Sequence, residues 1–141
     1  MFEITIMTST ITYQGNLRTS CRHLKSGKEI ITDAPTDNHG KGEAFSPTDL
    51  LATSLGSCMI TIMGITAQKH NIEIDGTKIN ITKIMAENPR RVSKIIAVFE
   101  MKFNREVNEK EKNILENAAR ACPVAKSIHP EVEQEIIFNY F

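Results

Sequence analysis

The sequence predicts an α+β fold with elements in the order βββ-α-ββ-α-α-β. Three observations carry that prediction. Short runs rich in β-branched residues alternate apolar with polar positions and are separated by Gly, Asn, Ser and Pro turns. A charge-free helical run occupies the middle of the chain, and a charged amphipathic helix follows it. With 141 residues, no internal repeat and no linker long enough to separate two bodies, the chain reads as a single domain, 1–141, long enough to bury a core.

The first strand is predicted over residues 3–12, EITIMTSTIT. Gln14-Gly15-Asn16 turns it into a second, Leu17 to Leu24, and Ser26-Gly27-Lys28 turns that into a third, Glu29 to Thr32. The three read as an antiparallel meander. A loop rich in Pro, Gly, Asn and Asp follows (33–45); loops of this length in a compact domain are often functional.

Ser46-Pro47-x-Asp49 then starts a helix. The serine caps an orphan N–H, proline loses nothing at the first helical position, and the aspartate meets the positive end of the dipole. From Leu50 to Gln68 there is no charge, and Leu51, Leu55, Met59, Ile62 and Ile65 fall on every side of the helical wheel. A helix apolar all round is buried all round. Its length also suits a membrane span. Thr53, Ser54, Gly56, Ser57, Thr61 and Gly64 dilute the run, however, and no basic or aromatic flank marks an interface, so a buried soluble helix is the better reading.

Lys78 to Met85 and Ile95 to Phe103 form the next two strands, joined through Asn88-Pro89. Asn108 starts the charged helix EKEKNILENAARA, with Ile114, Leu115 and Ala118 on one face. Cys122-Pro123 breaks it, Pro123 being the first residue of a short helix stopped by Pro130, and Val132 to Tyr140 is the last strand. So little other helix is too little to sheathe the central one, and a tightly packed homodimer is the expected cover.

Seventeen basic and seventeen acidic residues give zero formal charge, with no basic face for nucleic acid and no polybasic anchor for a membrane. The start, MFEITIMTST, lacks a basic n-region and alternates, unlike a signal peptide. Three cysteines, at 21, 58 and 122, make no disulfide framework and fit a reducing compartment, most simply the cytoplasm. No CxxC or spaced His pair suggests zinc, and His23, His39, His70 and His129 are scattered. No metal or other bound cofactor is expected.

Function therefore turns on the thiols. Cys58 lies mid-helix among Leu51, Leu55, Ile62 and Ile65, where a buried cysteine is commonly an inert packing residue. Cys122 would cap the short last helix, a setting that lowers a thiol's pKa. Cys21, beside Arg22 and His23, reads as an ordinary strand residue. Nucleophilic Cys–His hydrolysis stays open, because such pairs meet only in space.

The chain resembles the OsmC/Ohr family (osmotically inducible protein C and organic hydroperoxide resistance proteins) over nearly its whole length. The likeness rests on Tyr13-x-Gly15-x-Leu17-Arg18, on Asp33-Ala34-Pro35, on Ser46-Pro47-x-Asp49-Leu50-Leu51 through Leu55-Gly56-Ser57-Cys58, and on Cys122-Pro123-Val124. The resemblance implies an OsmC-like fold in which two long central helices are clasped by antiparallel sheets in an intertwined dimer. It also implies thiol-dependent reduction of organic hydroperoxides, with Cys58 as peroxidatic thiolate, Cys122 as resolving thiol and Arg18 as the stabilising cation. No cofactor is implied beyond an external dithiol reductant. The chemistry is coherent: a thiolate among apolar side chains is costly unless a cation pairs with it, and guanidinium stays charged.

One departure stands out. The active family pattern has a glutamate directly after the helix-starting proline, and Thr48 stands there. Asp49, nine residues before Cys58, lies about 180° round the helix and roughly 13 Å along it, and capping accounts for it. Glu43, in the glycine loop, is the expected substitute partner for Arg18. The alternative is a non-catalytic OsmC-like protein that binds a small hydrophobic ligand at the dimer interface.

Overall fold

The computed structural model describes residues 6–141. Two compact units divide the chain, Met1–Leu50 and Leu51–Phe141. The element order is the expected one, with β1 (Ser9–Gly15), β2 (Arg18–His23), β3 (Glu29–Asp33), α1 (Pro47–Lys69), β4 (Lys78–Ala86), β5 (Arg91–Met101), α2 (Glu109–Arg120), α3 (Pro123–Ser127) and β6 (Glu133–Tyr140). Residues 3–5 of the expected first strand lie outside the described residues, and the strand itself begins later, at Ser9.

In the first unit β1, β2 and β3 form an antiparallel sheet in that order. The β1–β2 turn needs positive φ at Gly15, Asn16 and Leu17 (84°, 54° and 62°), and the Leu17 N–H donates to the Tyr13 hydroxyl. This explains the close spacing of Tyr13, Gly15 and Leu17 along the chain. After β3 the chain makes one 3-10 turn, Thr36–Asn38. Gly40 then passes so near Ala34 that a Cβ there would collide with the Ala34 carbonyl, so no other residue fits. Both faces of the sheet carry bare apolar side chains: Ile11 is 67% exposed on one and Ile31 46% exposed on the other.

α1 starts as expected, by a reciprocal cap. The Asp49 N–H donates to Ser46 Oγ at 3.1 Å and the Ser46 N–H to Asp49 Oδ2 at 2.9 Å. It ends at Asn71 in the left-handed region (φ 55°), with Ile72 N–H bonded to the Ala67 carbonyl and Asn71 N–H to that of Gln68, a Schellman closure.

The second unit holds the remaining sheet, ordered β4-β5-β6. β4 and β5 are antiparallel, but β6 runs parallel to β5, so this sheet is mixed where antiparallel pairing was expected. The reason lies in the connection: α2 and α3 together carry the chain back to the starting end of β5, a crossover that a tight hairpin cannot make. Central β5 buries Ile95, Ala97, Phe99 and Met101 on one face. Phe99 packs on Phe138 of β6 with ring centroids 4.7 Å apart.

The long helix departs from expectation in one respect. Ala52, Leu55, Gly56, Met59, Met63 and Ala67 form one buried stripe, while Leu51 and Ile65 are 40% and 48% exposed. One chain therefore covers a single side of a helix that is apolar on all of them. By length and composition α1 could cross a membrane, yet its buried stripe belongs to the core, and Gly56 lets Ile81 of β4 approach it closely.

α2 is fixed at its start by a capping box, Asn108 with Glu111. Arg105 donates to both Glu111 oxygens (2.7 and 3.3 Å) and to the carbonyl of His70 at the closing turn of α1. This bond, helped by the Asn108 N–H, pulls the Glu111 carboxyl from its ordinary 4.5 to about 2. A depressed folded-state pKa contributes stability that is complete above the ordinary value and is lost as pH falls toward the folded one. Urea midpoints should therefore drop between about pH 4.5 and 2, and Glu111→Gln should flatten that stretch of the profile. An unchanged profile in the variant would remove the ion pair from this account.

Candidate functional site

Cys58 and Cys122 are brought into one neighbourhood from opposite ends of the second unit. Cys58 lies on α1 between the buried Leu55 and Met59 and packs against the core cluster that contains Cys122. Both are free thiols. Cys58 is partly exposed, whereas Cys122 is fully buried.

Local chain chemistry sets the position of Cys122. A residue before proline is driven to extended backbone, and Cys122 (φ −64°, ψ 150°) adopts it two residues past the end of α2, so that helix cannot run on. Pro123 takes the first position of α3, and Cys122 Sγ accepts the Ala125 N–H at 3.3 Å. The predicted N-cap geometry is thus present. The predicted electrostatic consequence is not, because burial pushes the Cys122 thiol up and outweighs the Ala125 bond, and the neighbouring Cys58 side chain pushes it the same way. A short helix's end cannot offset removal from water.

The first unit holds Arg18 and Glu43. Arg18 pairs with Asp33 rather than chiefly with Glu43: Nε lies 2.7 Å from Oδ1 and Nη2 donates to Oδ2 at 2.8 Å. Glu43 has a lesser role, its carboxylate 4.0 Å from Nη2. The Glu43 backbone N–H donates to Asp33 Oδ2 at 3.1 Å. The hydrogen bond from Arg18 holds the Asp33 carboxyl below the ordinary range against burial, and Asp33 raises Arg18 in turn. Asp33 stands within the Asp33-Ala34-Pro35 run, yet sequence reasoning assigned it no role. A signal for it existed: carrying the β2–β3 hairpin outward from its turn pairs Arg18 with Asp33.

The remaining candidates behave as ordinary structure. Asp49 is engaged in the cap of α1, and Thr48 Oγ1 lies 3.3 Å from Ser46 Oγ. Cys21 sits in β2 opposite Ile11 and Ile30. His23 bonds Ser26 in its own turn, and His129 accepts the Glu131 N–H. Among the described residues no group of three or more His, Cys, Asp or Glu side chains is placed to hold a metal ion.

Comparison with solved structures gives a chain from Psychrobacter arcticus, provisionally called an osmotic stress induced and detoxification response protein. It shares 55% identity at a TM-score of 0.91, over 99% of this chain and all of that one. An OsmC-like protein of unknown function from Vibrio cholerae aligns at TM-score 0.78 and 17% identity, over 95% of this chain and 100% of that one. The organic hydroperoxide resistance protein OhrB of Bacillus subtilis aligns at 0.65 and 17%, over 94% and 98%. The last two likenesses are of fold alone. No curated protein matches. The family described as OsmC-like protein matches residues 40–136, a span that takes in both thiols and the start of the central helix. On that match and on its near-full-length similarity to the Psychrobacter chain, this protein belongs to the OsmC-like family.

Proposed function

We propose that this chain is a cytoplasmic, homodimeric thiol peroxidase acting on organic hydroperoxides. The observation that carries the reading is the pairing of two free thiols of unequal access, Cys58 open enough to meet a substrate and Cys122 buried beside it. The existence of structural relatives called organic hydroperoxide resistance proteins supports the substrate class.

The Cys58 thiolate attacks the outer oxygen of ROOH. The O–O bond breaks, the alkoxide takes a proton and leaves as ROH, and sulfur is oxidised to a sulfenic acid. Cys122 then condenses with that sulfenic acid, forming a disulfide and releasing water. A dithiol reductant returns both sulfurs to thiols and is itself oxidised to a disulfide. Arg18 is assigned to stabilise the Cys58 thiolate and Glu43 to add a weak second acid beside that guanidinium. The apolar residues around Cys58 favour alkyl or lipid-like hydroperoxides over hydrogen peroxide.

The dimer assignment is supported by exposed apolar side chains on both faces of the first sheet and on the uncovered side of α1. A three-stranded sheet bare on both faces is a poor free-standing element. Sedimentation at micromolar concentration should give twice the 15.8 kDa chain mass, and a monomer there would remove the assignment. For the chemistry, reduced protein is mixed with one equivalent of cumene hydroperoxide and its thiols are counted. They should fall from three to one, with peptide mapping placing the new disulfide between Cys58 and Cys122. Ligand binding with all three thiols intact would favour a non-catalytic binding protein instead.

A further inference from the structure

The ion pair in the first unit has a geometry that a loosely solvated arginine would lack. Asp33 engages the guanidinium along one edge, through Nε and Nη2. Nη1 takes no part in that contact, and two bonds to one carboxylate fix the plane of the fork. Asp33 is itself held rigidly. It is 1% exposed, its N–H donates to the Phe45 carbonyl at 3.1 Å, and its Oδ2 also accepts the Glu43 N–H. Arg18 and Asp33 are moreover direct cross-strand partners on β2 and β3, so the backbone ladder sets their spacing.

Glu43 and Asp49 are worse suited. The Glu43 side chain is two-thirds exposed and 4.0 Å away, where water screens it. The Asp49 carboxylate accepts the Ser46 N–H in the cap of α1, and Thr48 carries no charge.

We propose that Asp33 is the positioning residue for Arg18, orienting the guanidinium so that the N–H groups Asp33 does not engage can meet a thiolate or a developing alkoxide. The inference rests on the peroxidase reading above and names the acid through which it works in this chain. A carboxylate beside a cation weakens its positive field, so what Asp33 supplies is orientation and not charge. Misplacing a charged group by about an ångström can reduce a rate by roughly a hundredfold.

The test follows thiol loss with cumene hydroperoxide against pH, on full-length protein, for wild type, Asp33→Asn, Asp33→Glu, Arg18→Met and the Arg18→Met/Asp33→Asn double variant. Asp33→Asn should lower the alkaline-plateau rate about ten- to a hundredfold. Asp33→Glu should recover some of the loss, and Asp33→Asn should have no further effect once Arg18 is methionine. A folded Asp33→Asn protein with the wild-type plateau overturns the proposal, as does a loss that persists undiminished on the Arg18→Met background. Should Asp33→Asn not fold by circular dichroism, Asp33→Glu decides: its carboxylate sits one methylene further out, and an unaltered plateau overturns the proposal. Failure of the underlying reading looks different, because then Cys58→Ser or Arg18→Met itself oxidises at the wild-type rate.

Discussion

Cys58→Ser is expected to lose hydroperoxide-dependent thiol oxidation almost completely, by roughly a thousandfold or more in the second-order rate, as removal of a nucleophile does elsewhere. A serine hydroxyl is not ionised near neutral pH and has no equivalent of a sulfenic acid. Cys122→Ser should divide the reaction differently. Its first step continues, the Cys58 sulfenic acid accumulates and is trapped by dimedone, and excess peroxide carries it to the sulfinic acid. Serine is also a good N-cap, so α3 should survive the change. In wild type the disulfide-forming step should go on accelerating above the ordinary thiol range near ~8.5, because burial raises the Cys122 pKa. Stopped-flow thiol counting resolves both steps. A Cys58→Ser protein that still consumes two thiols per peroxide would sink the assignment of the nucleophile.

Phe99→Ala is the substitution expected to harm the second unit most. Phe99 is completely buried in the central strand of the sheet and packed on Phe138. Its removal takes away the transfer free energy of the ring and leaves a hole that neighbours fill only incompletely, typically about 3–5 kcal/mol together. Domains of this size are stable by about 5–15 kcal/mol, so the loss should show as a large fall in the urea midpoint. An exposed control on the same sheet, Ile137→Ala, should shift it far less. Equal shifts would mean that the core does not centre on β5.

Much of this architecture is written in local chemistry. Ser46-Pro47-x-Asp49 starts α1 and Asn108 starts α2 because a capping side chain and the N–H it accepts lie within four residues of each other. Cys122-Pro123 ends one helix and begins another because proline constrains its own φ and its predecessor's backbone. The two later strands were visible from alternation, and in the folded chain Ile95, Ala97, Phe99 and Met101 take the buried face of β5.

Other features depend on where distant pieces meet. The parallel course of β6 follows from a two-helix crossover, and hydrophobic alternation is the same in either strand direction. The choice of Asp33 over Glu43 by Arg18 was implicit in hairpin register, but it is the burial of Asp33 and the exposure of Glu43 in the folded chain that decide it. The upward push on Cys122 shows the same limit most sharply. Its capping position is a matter of neighbours along the chain, while its depth is a matter of what α1, α2 and the sheet place around it.

Sequence alone thus determined the family, the order of elements and the caps that begin each helix, because these rest on contacts a few residues long. Tertiary structure alone decided which acid holds the arginine, which way the last strand runs and how far each thiol stands from water. Those properties are set by desolvation and cross-strand geometry, which belong to the folded molecule and not to any one stretch of chain.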